Sequence, residues 1–389
     1  MPKNDAPLTL RRTLAAVLVL AAGVPAASRA QAPPSASLSA RLDGIVERAH
    51  AAGAFDGVVL VGRGDSVMYA RAVGAADRSW SILNTPETRF PWASVTKQVT
   101  ATVVLQLVGE GRLALDTPLS EVLPDLRAGH AGRVRVRHLL ANSSGLPDPD
   151  TIEGFYVAPD SSLAALVDAA LRADLAFEPG STFRYNNLDF ILLGRVIEAL
   201  TGTPLAEAFR ARVFEPAGML ETVLLDDTRI EPRLATAAVA LGDGRFGPPP
   251  AVRLAAFGAS GALAGPIGDL FRFDRALLGG RLLSPALRDS MFAADPALGF
   301  VALSVWTYGF GVGGRTARLV ERQGWIGGYR ALNVLAPDDD AVLVVLSNTD
   351  AADLSRTYTG AGFSADLVRE VLAAPGRTAG KAHGGRPGG

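Results

Sequence analysis

Trp92-Ala93-Ser94-Val95-Thr96-Lys97 is followed by an apolar, helix-period run that extends to glycines at 109 and 111. The hexapeptide therefore opens a helix from about Ser94 to Gly109. Residues three apart share a helix face, so Ser94 and Lys97 are presented side by side. A serine hydroxyl becomes a nucleophile only when a neighbouring base takes its proton, and a desolvated lysine can be that base. Composition sharpens the point. Of 38 basic residues only Lys3, Lys97 and Lys381 are lysines. Arginine cannot give up its proton, so one lysine in the body of an arginine-rich chain raises a chemical question, although an exposed serine near a solvated lysine would give the same spacing.

Outward from this helix, Leu38, Leu42, Ile45 and Val46 have helical spacing, and Gly57 to Gly74 reads as a hairpin turning at Gly62-Arg63-Gly64-Asp65. The Arg-Gly-Asp triplet is thereby a turn and not an adhesion motif. Helical segments are expected at Ser161–Ala173 and Leu188–Leu200, and Gly242–Pro250 reads as a loop. Strand character returns at Tyr308–Val312, Leu319–Trp325, Tyr329–Leu335 and Ala341–Leu346, and a helix at Ala365–Leu372 closes the pattern. Strands at both ends around a helical middle predict an α+β fold, an antiparallel sheet flanked by helices with a helix-rich insertion. A single domain over 38–372 is expected, its α/β part about 38–93 and 260–372 and its helix-rich part about 94–259.

The 389 residues carry a formal charge of −1 and no cysteine. The first excludes the basic excess of a nucleic-acid binder, and the second excludes disulfides, thiolate metal sites and a Cys nucleophile. The four histidines fall in no ligand spacing, so no metal and no cofactor is expected. Residues 1–30 read as a cleavable signal peptide: Lys3, Arg11 and Arg12, an 11-residue apolar stretch Leu14–Val24, then Ser28-Arg29-Ala30. That stretch is too short for a stable membrane span. The expected location is secreted or periplasmic, and residues 375–389 read as a disordered tail.

Two further segments attract attention. In Tyr185-Asn186-Asn187 a phenol is available to shuttle protons, although a helix-capping asparagine accounts for the triplet equally well. In Gln323-Gly324-Trp325-Ile326-Gly327-Gly328-Tyr329 paired glycines interrupt a strand, which marks either a close approach or a tight corner.

The order of these elements resembles the serine β-lactamase and penicillin-binding-protein superfamily, on its class C, esterase and D-Ala-D-Ala carboxypeptidase side. The likeness runs over roughly 42–370 and takes in Gly111-Arg112-Leu113-Ala114-Leu115-Asp116, Arg137 to Pro147 and Pro216-Ala217-Gly218-Met219. It implies an acyl-enzyme mechanism with Ser94 as nucleophile, Lys97 as base or relay and Tyr185 as proton shuttle. Asn187 would position Lys97 and the substrate. The third motif would map to Trp325-Ile326-Gly327, with the Gly328 N–H joining that of Ser94 in an oxyanion hole. Antibiotic-degrading members carry Lys or His where this alignment places Trp325. That resembles the esterase branch and predicts carboxylic esters as substrates; Arg330 is the cation able to compensate. The alternatives are a β-lactamase or D-Ala-D-Ala carboxypeptidase, or a catalytically inactive binding protein. A Ser-His-Asp hydrolase is rejected, since His138 is the one plausible partner and no Gly-x-Ser-x-Gly elbow occurs. The expected partner is a small acyl substrate.

Overall fold

The computed structural model describes residues 37–124, 129–242 and 244–374. The expected signal peptide and tail lie outside the described residues. Six strands form one antiparallel sheet: β1 (Gly57–Arg63), β2 (Ser66–Val73), β3 (Trp306–Val312), β4 (Arg315–Ile326), β5 (Tyr329–Ala336) and β6 (Ala341–Ser347). Their order is β3-β4-β5-β6-β1-β2. The first strand thus pairs with the last, Val59 opposite Val345, and the sheet is joined from both ends of the chain.

β1 and β6 are buried along almost their whole length, so Val58-Val59-Leu60-Val61 and Val342 to Leu346 read as unbroken apolar runs. Alternate residues serve different layers. Val59, Val61, Leu343 and Val345 pack with helix α1 (Leu38–Ala51) and the C-terminal helix at Phe363–Ala373. Val58, Leu60, Val344 and Leu346 pack with α2 (Thr96–Gly109) and the helices of the middle segment. α2 has eleven of its fourteen residues buried, Thr96, Lys97, Gln98, Thr100 and Thr102 among them, which explains why its sequence shows no separate polar face. Two more helices matter here, α3 (Asp160–Arg172) and α4 (Asn187–Thr201).

The stretch at 242–250 departs from the expected loop. Val239–Gly242 and Arg245–Gly247 form a small hairpin, with Gly242 and Gly244 at positive φ in its turn. Short glycine-bounded runs carry little periodicity, so their pairing shows only in space.

Candidate active site

Ser94 lies in a 3₁₀ turn (Ala93–Val95) that feeds α2. Ala93 before it is held at φ 47°, a left-handed conformation costly for a side chain with a Cβ. Ser94 borders a cavity of about 800 Å³, lined also by Asp150, Tyr156, Tyr185, Asn187, Phe257, Trp325 and Arg330, among others.

Lys97 is fully buried one turn along. Its Nζ lies 3.1 Å from Ser94 Oγ, 2.7 Å from Asn187 Oδ1 and 2.7 Å from the Ser260 carbonyl oxygen. The amine faces the Tyr185 and Phe190 rings at 5.0 and 5.4 Å. Burial pushes its pKa well below the usual lysine value, and the Arg322 charge pushes the same way. A neutral amine has two N–H donors and one lone pair. With both donors taken by Asn187 and Ser260, the lone pair is left for the serine hydroxyl.

Tyr185 Oη is in short hydrogen-bond contact with Ser94 Oγ and lies 3.4 Å from Asn187 Oδ1. Burial raises its pKa, partly offset by Arg322, so the phenol keeps its proton. Asn186, not Asn187, caps α4, accepting the Leu188 N–H through its side chain at 2.8 Å. Asn187 is thereby free to face Lys97. Its amide donates to Tyr156 Oη at 3.0 Å and to Asp150 Oδ1 at 3.3 Å, which fixes Oδ1 toward the amine. Tyr156 is itself stacked on Phe257, ring centres 4.0 Å apart.

The structure brings Ser94, Lys97, Tyr185 and Asn187 together but rearranges the third motif. A two-residue turn closes β4 onto β5 between Ile326 and Tyr329. Gly327 therefore sits on the cavity rim beside Pro249 and Val252, and Gly328 packs on the Ala238 backbone. The glycine against the nucleophile is Gly324: a Cβ there would lie 2.4 Å from the Trp92 carbonyl oxygen and 2.9 Å from Ser94 N. The placement of the motif at 325–327 is corrected by this three-residue offset. The cation found missing at Trp325 is also present earlier in the strand. Arg322, fully buried, donates from Nε to the Ser94 carbonyl at 3.1 Å and from Nη2 to Tyr185 Oη at 3.2 Å. Trp325 is 67% exposed, and its indole N–H is spent on the Gly327 carbonyl at 2.7 Å.

β3 pairs with β4 only as far as Glu321, so residues 322–326 form a free edge at the cavity. Pairs in an antiparallel ladder alternate between bonded and unbonded. The bonded pair at the turn makes Gly324 and Arg322 bond to β5 and turns the Trp325 N–H out of that edge. Arg322, Gly324, Ser260, Tyr156 and Asp150 are the site residues that sequence reasoning missed. Arg322 carries no sequence signal, because residues 319–322 are buried on both faces of the strand and the alternation that would single it out is absent there. His138 takes no part, its Nδ1 accepting the Arg135 N–H.

The family model described as Beta-lactamase matches residues 42–361. Esterase EstB of Burkholderia gladioli is 37% identical over 201 residues, 48% of this chain and 51% of the esterase. Penicillin-binding protein 4 of Amycolatopsis lactamdurans is 29% identical over 335 residues, covering 79% of this chain and 82% of its own. Among solved structures, the D-amino acid amidase from Ochrobactrum anthropi SV3 superposes with a TM-score of 0.72 at 26% identity, over 87% of this chain and 98% of the amidase. The chain belongs to the β-lactamase family. It is a serine hydrolase of the β-lactamase and penicillin-binding-protein type with the α+β fold of that group.

Proposed function

We propose that the protein is an exported hydrolase that cleaves carboxylic esters through an acyl-enzyme on Ser94. The observation that carries this is the fully buried Lys97 amine, its Nζ 3.1 Å from Ser94 Oγ and held in place by Asn187 Oδ1 and the Ser260 carbonyl. Lys97 takes the Ser94 proton as the oxygen attacks the substrate carbonyl. Tyr185, kept protonated by burial, passes a proton to the departing alcohol oxygen. In the second half, water attacks the acyl carbonyl and the proton flow reverses. The oxyanion is received by the N–H groups of Ser94 and Trp325 in place of Gly328, the latter being turned onto Ala238. The open cavity and the exposed Trp325 wall support an ester with an apolar part. Incubation with p-nitrophenyl butyrate and with a fluorophosphonate tests the reading, intact mass reporting adduct formation. Turnover together with labelling that vanishes in Ser94→Ala supports it, and unchanged turnover in that variant overturns it.

A β-lactam or D-Ala-terminated peptide as acyl donor is the second reading, favoured by the Arg322 charge beside Tyr185. A side-by-side screen with nitrocefin and D-Ala-D-Ala peptides separates the two.

A further inference from the structure

One of the two acceptors that hold the Lys97 amine is main chain. The Ser260 carbonyl, 2.7 Å from Lys97 Nζ, ends a stretch of 3₁₀ helix (Leu254–Ser260) that is kinked at Gly258, where φ is 44°. Hydrogen bonds tie this stretch to α2. Thr100 donates from Oγ1 to the Ala259 carbonyl at 2.7 Å, and Thr96 Oγ1 accepts the Leu263 N–H at 3.2 Å. Ser260 closes the kink itself, its Oγ donating to the Phe257 carbonyl at 2.6 Å. On its other side the stretch lies against Gly194, in the middle of α4. A Cβ on Gly194 would stand 2.8 Å from the Ala259 Cβ, closer than two carbon atoms pack.

Glycine in a helix interior costs stability relative to alanine, so its presence at 194 calls for a packing reason. Here the missing methyl group is a notch that admits Ala259 and lets the stretch close onto α2 and α4 together. The same stretch carries Phe257, which lines the cavity and stacks on Tyr156, whose hydroxyl fixes the Asn187 amide. Both acceptors of the Lys97 amine therefore lean on it: Ser260 directly, Asn187 through Phe257 and Tyr156. We propose that Gly194 is a positioning residue for the Ser94–Lys97 pair. It sets how deeply Leu254–Ser260 seats, and with that the place of the Lys97 amine, while lying outside the cavity lining. The proposal rests on Ser94 acting as the acylating residue.

The test is a steric swap. Gly194→Ala should lower kcat for p-nitrophenyl butyrate, and the rate of Ser94 labelling by a fluorophosphonate, by about tenfold or more. KM should change much less, and far-UV circular dichroism should not change. Adding Ala259→Gly removes the methyl group that the new one strikes, so the double variant should return to within about threefold of wild type in both rates. Wild-type rates in Gly194→Ala overturn the proposal, and so does a loss confined to KM. A loss that Ala259→Gly fails to relieve traces to α4 alone and overturns it too. If Gly194→Ala does not fold, Thr100→Val decides, since it removes the bond to the Ala259 carbonyl and keeps a side chain of similar shape. A fall of about fivefold or more in kcat and labelling with the fold intact then supports the proposal, and wild-type rates reject it. Labelling separates this inference from the ester reading. Wild type that takes the label without cleaving the ester sinks the ester reading alone, and the labelling rates then carry the test. Wild type that resists the label removes the Ser94 chemistry on which the proposal stands.

Discussion

At the scale of the residue, the site depends on a lysine that is buried beside an arginine. The two causes that lower the Lys97 pKa, burial and the Arg322 charge, make opposite substitutions informative. A general base works only when neutral, so kcat/KM should rise with pH through the lowered Lys97 pKa and level off well below the ordinary lysine range. Arg322→Gln removes the positive neighbour, raises the Lys97 pKa and moves that rising limb to higher pH. A limb that stays in place or moves to lower pH would contradict the assignment. Lys97→Arg keeps the charge but cannot release a proton, and a loss of about a thousandfold or more in kcat/KM is expected. Tyr156→Phe deletes the shorter of the two bonds made by the Asn187 amide while keeping the stack on Phe257. It should lower kcat several-fold by loosening Asn187 and Lys97, with a smaller change in KM, measured on a neutral ester.

At the scale of the element, close approach decides what the sequence reveals. Ser94 and Lys97 are legible because a spacing of three across a 3₁₀ turn running into a helix fixes their relation, and Tyr185 with Asn187 because they flank the cap of α4. The third motif is not. Its position depends on how the β4–β5 hairpin registers against the Ser94 turn, and no local pattern specifies that pairing. The paired glycines serve the turn, whereas the single Gly324 serves the contact with Trp92 and Ser94. Gly324→Ala puts a methyl group against a backbone carbonyl and should cut activity at least a hundredfold while the fold persists, as read by kcat/KM beside far-UV circular dichroism. At the start of α4, fully buried Asp189 accepts from Ser144 and Asn142, and burial pushes its pKa up to about 8. A carboxyl whose pKa rises on folding favours the folded state while it is protonated. Its contribution is lost as pH climbs from the unfolded value toward 8, by at most about 1.4 kcal/mol per pH unit. Asp189→Asn should therefore flatten the fall in stability between pH 5 and 8 in denaturant titrations, and an unchanged slope would count against the buried acid.

At the scale of the molecule, the antiparallel sheet and helical middle were readable because β1 and β6, as continuous apolar runs, announce central strands, and α2 announces a helix buried on all sides. The junction of the two regions was less visible, since it is made by packing rather than by chain connectivity. α2 shares one apolar core with β1, β6 and α4, and Lys97 on α2 bonds to Asn187 on α4 and to Ser260. The helix-rich segment thus has no core of its own that excludes the sheet, and the two should unfold together. Val345→Ala tests this from the far side of the sheet, where Val345 is fully buried in the layer facing α1 and the C-terminal helix. Loss of two methyl groups should cost roughly 1–3 kcal/mol. Thermal unfolding followed by tryptophan fluorescence, far-UV circular dichroism and residual esterase activity should then shift to one lower, shared midpoint. Activity surviving past the loss of sheet signal, or two separated transitions, would show that the site-bearing helices hold together without the sheet.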